Sequence, residues 1–528
     1  MRKGNRNKKI TRKVRSGESR VVRIKTENGG LGALKSFIIM AIIFSQLALL
    51  IYFYIEIALA FRWYLIGSFI LSLLTCIYVL SSDKNSLSKA VWIIFLLLFF
   101  VFGYAIYIMS DERFFFKKAK KRYKTVFESA KKYAPEFESE DFIAKQSVKN
   151  DATYLYNTGG FAVYKNTELE YFSSGGKFFD DFLEKLKSAK EFVFIEFFIV
   201  SDGVLMQRFF DIVSQKIREG VDVRIIYDDM GSHKTFSHKT KKKLKDTGVK
   251  LLPFNRLLPI FSIGLNYRDH RKIVVIDGKV AYTGGCNFAD EYINEKRLFG
   301  YWKDAGIRLC GEAVDGFTLI FLRQWEFLSK NSEDYRKYLC KAQGEKSESI
   351  VIPYADGLDF DSSISKNTYE NIISSAQERL YIMTPYFITE DTLTNLIINK
   401  ARSGVDVRLV LPGIPDKRIV YAISKNNAEK LLKYGVKLYY MNNSFVHSKL
   451  VLSESAVVVG SINMDLRSFY QQFESAVYTN DERILSSVFF DFLETFRDSK
   501  EMTAGNAKKK NLFVRIFSGI VRVFAPFM

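Results

Sequence analysis

What most restricts this chain is a stretch that occurs twice. IREGVDVRIIYD at 217–228 and ARSGVDVRLVLP at 401–412 share Gly220/Gly404, Val221/Val405, Asp222/Asp406, Val223/Val407 and Arg224/Arg408. In each copy a helical stretch stops on glycine, the residue suited to a helix C-terminus, and a β-rich apolar run begins. Upstream, FVFIEFFIVSDG (192–203) corresponds to LYIMTPYFITED (380–391), strand then loop. A duplicated helix–strand unit predicts an α/β fold made of two equivalent halves, over 150–335 and 336–505. Such duplication can set two similar half-sites face to face.

The chemistry lies in a second repeated pattern. Histidine is scarce, at four residues, and two of the four recur at matching places. HRKIVVIDGKVAYTGGCN (270–287) parallels HSKLVLSESAVVVGSIN (447–463). Strand alternation puts His270 and Lys272 on one face, and His447 and Lys449 likewise. Asp277-Gly278 predicts a tight hairpin turn. The returning strand ends in Gly284-Gly285 or Gly460-Ser461, followed by Asn287 or Asn463. A single His-x-Lys carries no information, because chance supplies such pairs; repetition of the whole pattern within a duplicated fold is specific. His233 and His238 have no counterpart and are expected as solvated loop residues, and Pro385 and Tyr386 as strand-end packing.

These residue types suit a phosphodiester. One imidazole can attack phosphorus and form a covalent intermediate, while a second protonates the leaving oxygen and later deprotonates an incoming alcohol. Two lysines and nearby Asn side chains can stabilise the non-bridging oxygens without a metal. Each imidazole needs a carboxylate to fix its tautomer. Asp304 (YWKDAG) and Glu474 (QQFESA), downstream of the first and second motif, are the expected partners.

Charge and hydropathy place this chemistry. The 528 residues carry a net charge of +20. Residues 1–35 supply +10, residues 111–124 supply +5 and residues 508–528 supply +5, so the rest of the chain is balanced. A nucleic-acid binder would spread positive charge over its catalytic halves; here it flanks apolar segments. Residues 36–55, 63–80 and 91–109 are long uncharged apolar runs, near the length that crosses a bilayer. The positive-inside rule puts 1–35 and 111–124 in the cytoplasm, which requires an even number of crossings. Two or three helices over 36–110 are therefore expected, one run being re-entrant or interfacial, with a cytoplasmic main domain. Residues 111–149 read as a basic juxtamembrane linker, and 506–528 as an amphipathic tail on anionic lipid. Four dispersed cysteines without a CxxC pair exclude a disulfide scaffold and a zinc ribbon.

On the paired His-x-Lys motifs the chain resembles the phospholipase D superfamily, and GGCNFADEY, YWKDAG, GVDVRLVLP, HSKLVL and GSINMDLRSF resemble bacterial cardiolipin synthases within it. The resemblance implies two phospholipase D-type α/β/α halves, two phosphatidylglycerol molecules converted to cardiolipin and glycerol through a phosphohistidine, and no cofactor. It implies catalytic roles for His270, Lys272, Asp277, His447, Lys449 and Glu454, with His270 as nucleophile and His447 as acid/base. Supporting roles fall to Asn287, Asp304, Asn463 and Glu474. One departure stands out: the motif aspartate is Asp277 in the first half but Glu454 in the second, and His-to-Gly spacing there is one residue shorter. Either Glu454 replaces the aspartate or a deletion has shifted the turn; in the superfamily that residue mainly orders the turn and the neighbouring lysine. The alternatives are a hydrolase, a phosphatidyltransferase using another alcohol, a superfamily nuclease, and an inert membrane scaffold with a decayed second motif.

Overall fold

The computed structural model describes residues 44–56, 62–82, 86–110, 117–138, 144–256, 267–339, 346–358 and 363–503, with isolated residues 41 and 344. The basic segment 1–35 and the tail 506–528 lie outside them.

Each repeated unit folds into one sheet. In the first half β1 (Thr167–Phe172), β2 (Phe192–Phe197), β3 (Asp222–Asp228), β4 (Lys250–Phe254), β5 (Lys272–Ile276), β6 (Val280–Gly284) and β7 (Gly306–Gly311) run in the order β1-β7-β6-β5-β2-β3-β4. In the second, β8 (Val351–Ala355), β9 (Arg379–Met383), β10 (Asp406–Pro412), β11 (Lys437–Met441), β12 (Leu450–Ser453), β13 (Val457–Gly460) and β14 (Ser475–Thr479) repeat it as β8-β14-β13-β12-β9-β10-β11. A further strand, β15 (Ser499–Met502), pairs with β11, covering an edge that would otherwise be open to other chains. Strands β2-β3-β4 and β9-β10-β11 are parallel. The helices Val204–Arg218 and Asp391–Arg402 make the crossovers that parallel strands require. Gly220 and Gly404, at φ 93° and 92°, end those helices as the shared sequence predicts. Helices on both faces explain why β5 reads KIVVI and is buried throughout. One apolar core runs from Phe194 and Ile273 in the first half to Val451 and Val477 in the second.

The turns after the two motif strands settle the Asp277/Glu454 question. Asp277 and Gly278 both have positive φ (51° and 61°), the requirement of the predicted hairpin turn. The Asp277 carboxylate turns away from solvent and accepts the N–H groups of Lys190, Glu191 and Phe192 (2.8, 2.8 and 2.9 Å). Glu454 does the same at the equivalent strand entry, accepting from Gln377, Glu378 and Arg379 (3.0, 3.3 and 3.3 Å). In the second half the loop between paired residues is one residue shorter, Leu452↔Val457 there corresponding to Val275↔Ala281. Both halves of the sequence alternative hold: a residue is gone, and the longer glutamate spans the gap. Burial pushes the Glu454 carboxyl up, but the backbone N–H bonds outweigh it and hold the group below its ordinary range. Its stabilising contribution is thus complete above the ordinary carboxylate range and is lost as pH falls through the lowered native value. Asp277 is the more buried of the two, at 9% exposure. Asp277→Ala leaves three donors without their acceptor and is expected to cost about 3 kcal/mol, seen as a lowered thermal midpoint; an unchanged midpoint contradicts this role.

The N-terminal region departs from the expected spans. Among the described residues one helix, Arg62–Leu80, has the length and apolarity to cross a membrane, at roughly 28 Å. Residues 91–109 do not form one helix. Ser86–Leu98 stops, a turn follows, and Gly103–Ser110 runs on separately. The Gly103 N–H bonds to the Phe99 carbonyl, and a Cβ at Gly103 would stand 3.2 Å from Leu96 Cα, so the return packs closely at this glycine. Ser72 Oγ donates to Leu96 O (2.7 Å), and Cys76, Val79, Leu96 and Tyr107 cluster around it. Of the run 36–55, the described part is the shorter apolar helix Phe44–Glu56. The stretch 111–149, expected as a linker, contains the helix Lys117–Lys131, which buries Tyr123, Val126, Phe127 and Ala130, Tyr123 and Ala130 in the core shared by both halves.

Candidate active site

The paired motifs meet where the two sheets abut. His270 stands two residues before β5, and the backbone N–H of His270 donates to the carbonyl of Phe473 in the other half (2.8 Å). His447 mirrors it, donating to Lys303 O (2.7 Å). Short parallel pairings, Arg268–Asp269 with Gln472–Phe473 and Tyr301–Lys303 with Ser444–Val446, stitch the halves on either side.

Each bridge delivers a carboxylate across the seam. Glu474, next after Phe473, faces His270 Nδ1 with both oxygens (3.0 and 2.9 Å). Asp304, next after Lys303, faces His447 Nδ1 (2.7 Å). The two carboxylates picked out in the sequence are thus the histidine partners, but exchanged: each follows one motif and serves the other. Sequence order carries no trace of this, because tertiary pairing between the halves creates it.

The two pairs differ in detail. Glu474 also accepts from Ser461 Oγ and from Ser468 Oγ (2.7 Å). Gly285 occupies the place of Ser461 in the first half, and a Cβ there would run into the Asp304 carboxylate. Lys449 Nζ reaches both Nδ1 (2.7 Å) and the carbonyl of His447. Nδ1 cannot donate to Asp304 and accept from Lys449 at once, and the carboxylate favours the proton on Nδ1. Lys272 Nζ donates to His270 O (2.5 Å).

The lysines are 1% exposed, the histidines 6% and 8%, so the imidazole edges are what a substrate meets. Phe198 packs on His270, and Tyr292, Trp302 and Phe445 on His447. These aromatic walls have no repeated sequence signal and were not legible beforehand. Asn287 bonds Tyr292 OH (2.6 Å) and the N–H of Ile199 (3.1 Å), holding the wall around His447. Asn463 is 6% exposed, and its buried Oδ1 has no hydrogen-bond partner.

Asp277 and Glu454, expected among the catalytic residues, do not join this group. Asp277 stands beyond β5 from His270, roughly 23 Å along an extended strand, and Glu454 lies at the same end of its hairpin. Their carboxylates face backbone N–H groups, so they place strands and lie away from the paired histidines. His233 and His238 are exposed as expected, though His238 opens the helix His238–Thr247 and is not a loop residue. Tyr386 gives its hydroxyl to Asp416 while its ring packs against the first-half core. Among the described residues no cluster of His, Cys, Asp and Glu has metal-ligand geometry.

Burial governs the electrostatics. It pushes His270 well below the imidazole range, and Lys272 and Lys449 add to the effect. It pushes His447 down to about 4, again with help from Lys449 and against the pull of Asp304. Burial raises Glu474 against the opposing effects of Lys272 and the two serines. It acts the same way on Asp304, where His447 and Lys449 overcome it and hold the carboxyl low. In the ligand-free site burial thus disfavours the charged form of both imidazoles and of Glu474, whereas Asp304 is held as the carboxylate anion. Burial likewise pushes Lys272 down to about 7 and Lys449 down to about 8.

Because a depressed lysine loses its charge early as pH rises, capture of an anionic phosphodiester weakens above pH 7 to 8. kcat/KM is expected to fall by roughly tenfold per pH unit beyond that range, while the acidic limb lies below the ordinary imidazole value. A basic limb at the ordinary lysine value, near pH 10, contradicts the assignment.

Comparison with known proteins places this constellation. A family profile described as "Cardiolipin synthase, PLD-like domain" matches residues 182–297 and 369–495, spanning both motifs. A Streptococcus mutans protein described as uncharacterized is 36% identical, with 86% of this chain and 99% of that protein aligned. Cardiolipin synthase 2 of Bacillus anthracis is 33% identical over 86% of this chain and 90% of its own. A crystal structure of phosphatidylserine synthase from Haemophilus influenzae superposes with a TM-score of 0.55 over 72% of this chain and 98% of that one; at 13% identity it bears on the fold alone. With the two-halved fold and the paired His-x-Lys motifs, these matches show that the chain belongs to the cardiolipin synthase family, phosphatidyltransferases of the phospholipase D-like fold.

Proposed function

We propose that this enzyme transfers a phosphatidyl group from one phosphatidylglycerol to the hydroxyl of another, releasing glycerol and forming cardiolipin through a phosphohistidine. The observation that carries the reading is the crossed pairing, His270 with Glu474 and His447 with Asp304, with a buried lysine behind each imidazole. A carboxylate at Nδ1 leaves Nε2 with the lone pair. His270 Nε2 attacks the donor phosphorus, the P–O bond to glycerol breaks, and His447, which takes up a proton at Nε2 once the anionic phosphodiester is bound between the histidines, gives that proton to the departing oxygen. Glycerol leaves; the acceptor lipid's hydroxyl gives its proton to His447 and attacks the same phosphorus, and the N–P bond breaks. Lys272 and Lys449 stabilise the charge on the non-bridging oxygens in both steps. The carboxylates, both fully buried, support each imidazole as it becomes cationic.

In this reading the helix Arg62–Leu80 crosses the bilayer, the hairpin of residues 86–110 is the re-entrant element, and the catalytic body faces the cytoplasm. Protease or thiol-reagent access to the catalytic half from outside intact cells would overturn that orientation. Purified full-length chain in phosphatidylglycerol vesicles, with lipids resolved by mass spectrometry and glycerol measured in parallel, tests the reaction. Cardiolipin and glycerol are expected in equal amounts. Phosphatidic acid with glycerol and no cardiolipin would instead identify a hydrolase.

A further inference from the structure

Arg271 lies between His270 and Lys272, and strand alternation turns it to the opposite face. It is fully buried and gathers three parts of the molecule. Nη2 donates to the Tyr123 hydroxyl (3.1 Å) and to the Asp356 carbonyl (2.5 Å). Nη1 donates to Gln324 (3.3 Å) and stands 3.5 Å from Glu196. The guanidinium also lies 5.1 Å from the centre of the Phe473 ring. Phe473 is the residue whose carbonyl holds the His270 N–H, and Glu474 follows it. Tyr123 packs edge-on against that same ring at 5.6 Å. Tyr123 thus touches both backbone segments that set the His270–Glu474 pair.

Tyr123 belongs to the helix Lys117–Lys131, whose other face is different in kind. Lys117, Lys118, Lys120, Lys121 and Lys124 are exposed, and KKAKKRYK contains no acid. The helix follows shortly after the apolar residues 62–110, so its basic end lies close in sequence to the bilayer contact. Headgroup phosphates attract juxtamembrane lysines strongly within a Debye length.

We propose that this helix is a lipid-reading positioning element. Its lysine face docks on an anionic bilayer surface, and Tyr123 conveys that docking through Arg271 to the His270–Glu474 pair. The inference rests on the phosphatidyltransferase reading for its effect on rate, though not for the docking surface itself. Tyr123 and Arg271 are positioning residues and touch no substrate.

Two measurements test it on the full-length chain. In the first, the chain is reconstituted in phosphatidylcholine vesicles with or without phosphatidylserine, and lysine acylation is mapped by mass spectrometry. The five lysines are expected to be protected several-fold only when phosphatidylserine is present, and to lose protection at high salt. Lys187, on the helix Gly175–Lys187, serves as the unprotected control. Equal protection in both vesicles would point to contact with a second copy of the chain and overturn lipid docking. In the second, Tyr123→Phe is assayed in phosphatidylglycerol vesicles. Loss of one bond to a buried cation should lower kcat about tenfold, leave KM unchanged and shift the pH profile of kcat. An unchanged kcat and pH profile overturns the transmission. A wild-type chain inactive in phosphatidyl transfer would overturn the transmission together with the functional reading, while the acylation map decides the surface separately.

Discussion

Glu474→Gln is expected to abolish transfer by eliminating the covalent intermediate, although Glu474 lies in the opposite half of the chain from the histidine it serves. The amide is close in size, so the packing against Ser461 and Ser468 can persist. What changes is the group at His270 Nδ1. Glutamine can offer an N–H there, which stabilises the tautomer with its lone pair on Nδ1 and leaves Nε2 unable to attack. It also removes the negative charge that balances the imidazole once phosphorus is bound. Loss of a tautomer-fixing carboxylate costs on the order of 10⁴ in kcat in comparable triads, and a fall of that size is expected here. Asp304→Asn should act as severely through His447, whose Nδ1 lies 2.7 Å from that carboxylate. If Glu474→Gln left the intermediate intact and only Asp304→Asn removed it, the carboxylates would serve their own halves in the active enzyme and the crossed arrangement would be wrong.

His447→Ala separates the two chemical steps. With phosphatidylglycerol as donor it should slow turnover by about 10²–10⁴, the usual contribution of a general acid or base, because the glycerol oxygen leaves without a proton. A donor ester of p-nitrophenol needs no such proton. With that donor, His447→Ala should release a stoichiometric burst of nitrophenolate and then stall, since nothing deprotonates the acceptor hydroxyl. His270→Ala should give no burst. The opposite pattern would reverse the two roles, which two halves sharing strand order, backbone bonds and motif allow.

Much of the architecture was legible because the chain states it twice. The pairs from Gly220/Gly404 to Arg224/Arg408 gave the repeating unit, and the His-x-Lys patterns gave the residues that meet at the seam. Asp304 and Glu474 were legible as identities, while their exchange was not, since local spacing cannot report which half a strand end will meet. The turn carboxylates taught the reverse lesson. Asp277 and Glu454 belong to the motif, yet three backbone N–H bonds apiece claim them for strand placement. Hydropathy overstated the third apolar run because it measures burial and not continuity; a return at Gly103 divides a segment that composition alone reads as a span. Charge understated the stretch 111–149, whose lysines suggested a linker while Tyr123, Val126 and Phe127 at helical spacing were packing into the body.

The central claim is a single phosphohistidine assembled from both halves. It is tested most directly by quenching the purified chain during turnover of radiolabelled phosphatidylglycerol and locating the adduct by mass spectrometry. A phosphatidyl group on His270 that disappears in Glu474→Gln is the predicted result. Cardiolipin accumulating with no adduct on any histidine, or with the adduct on His447, would contradict it.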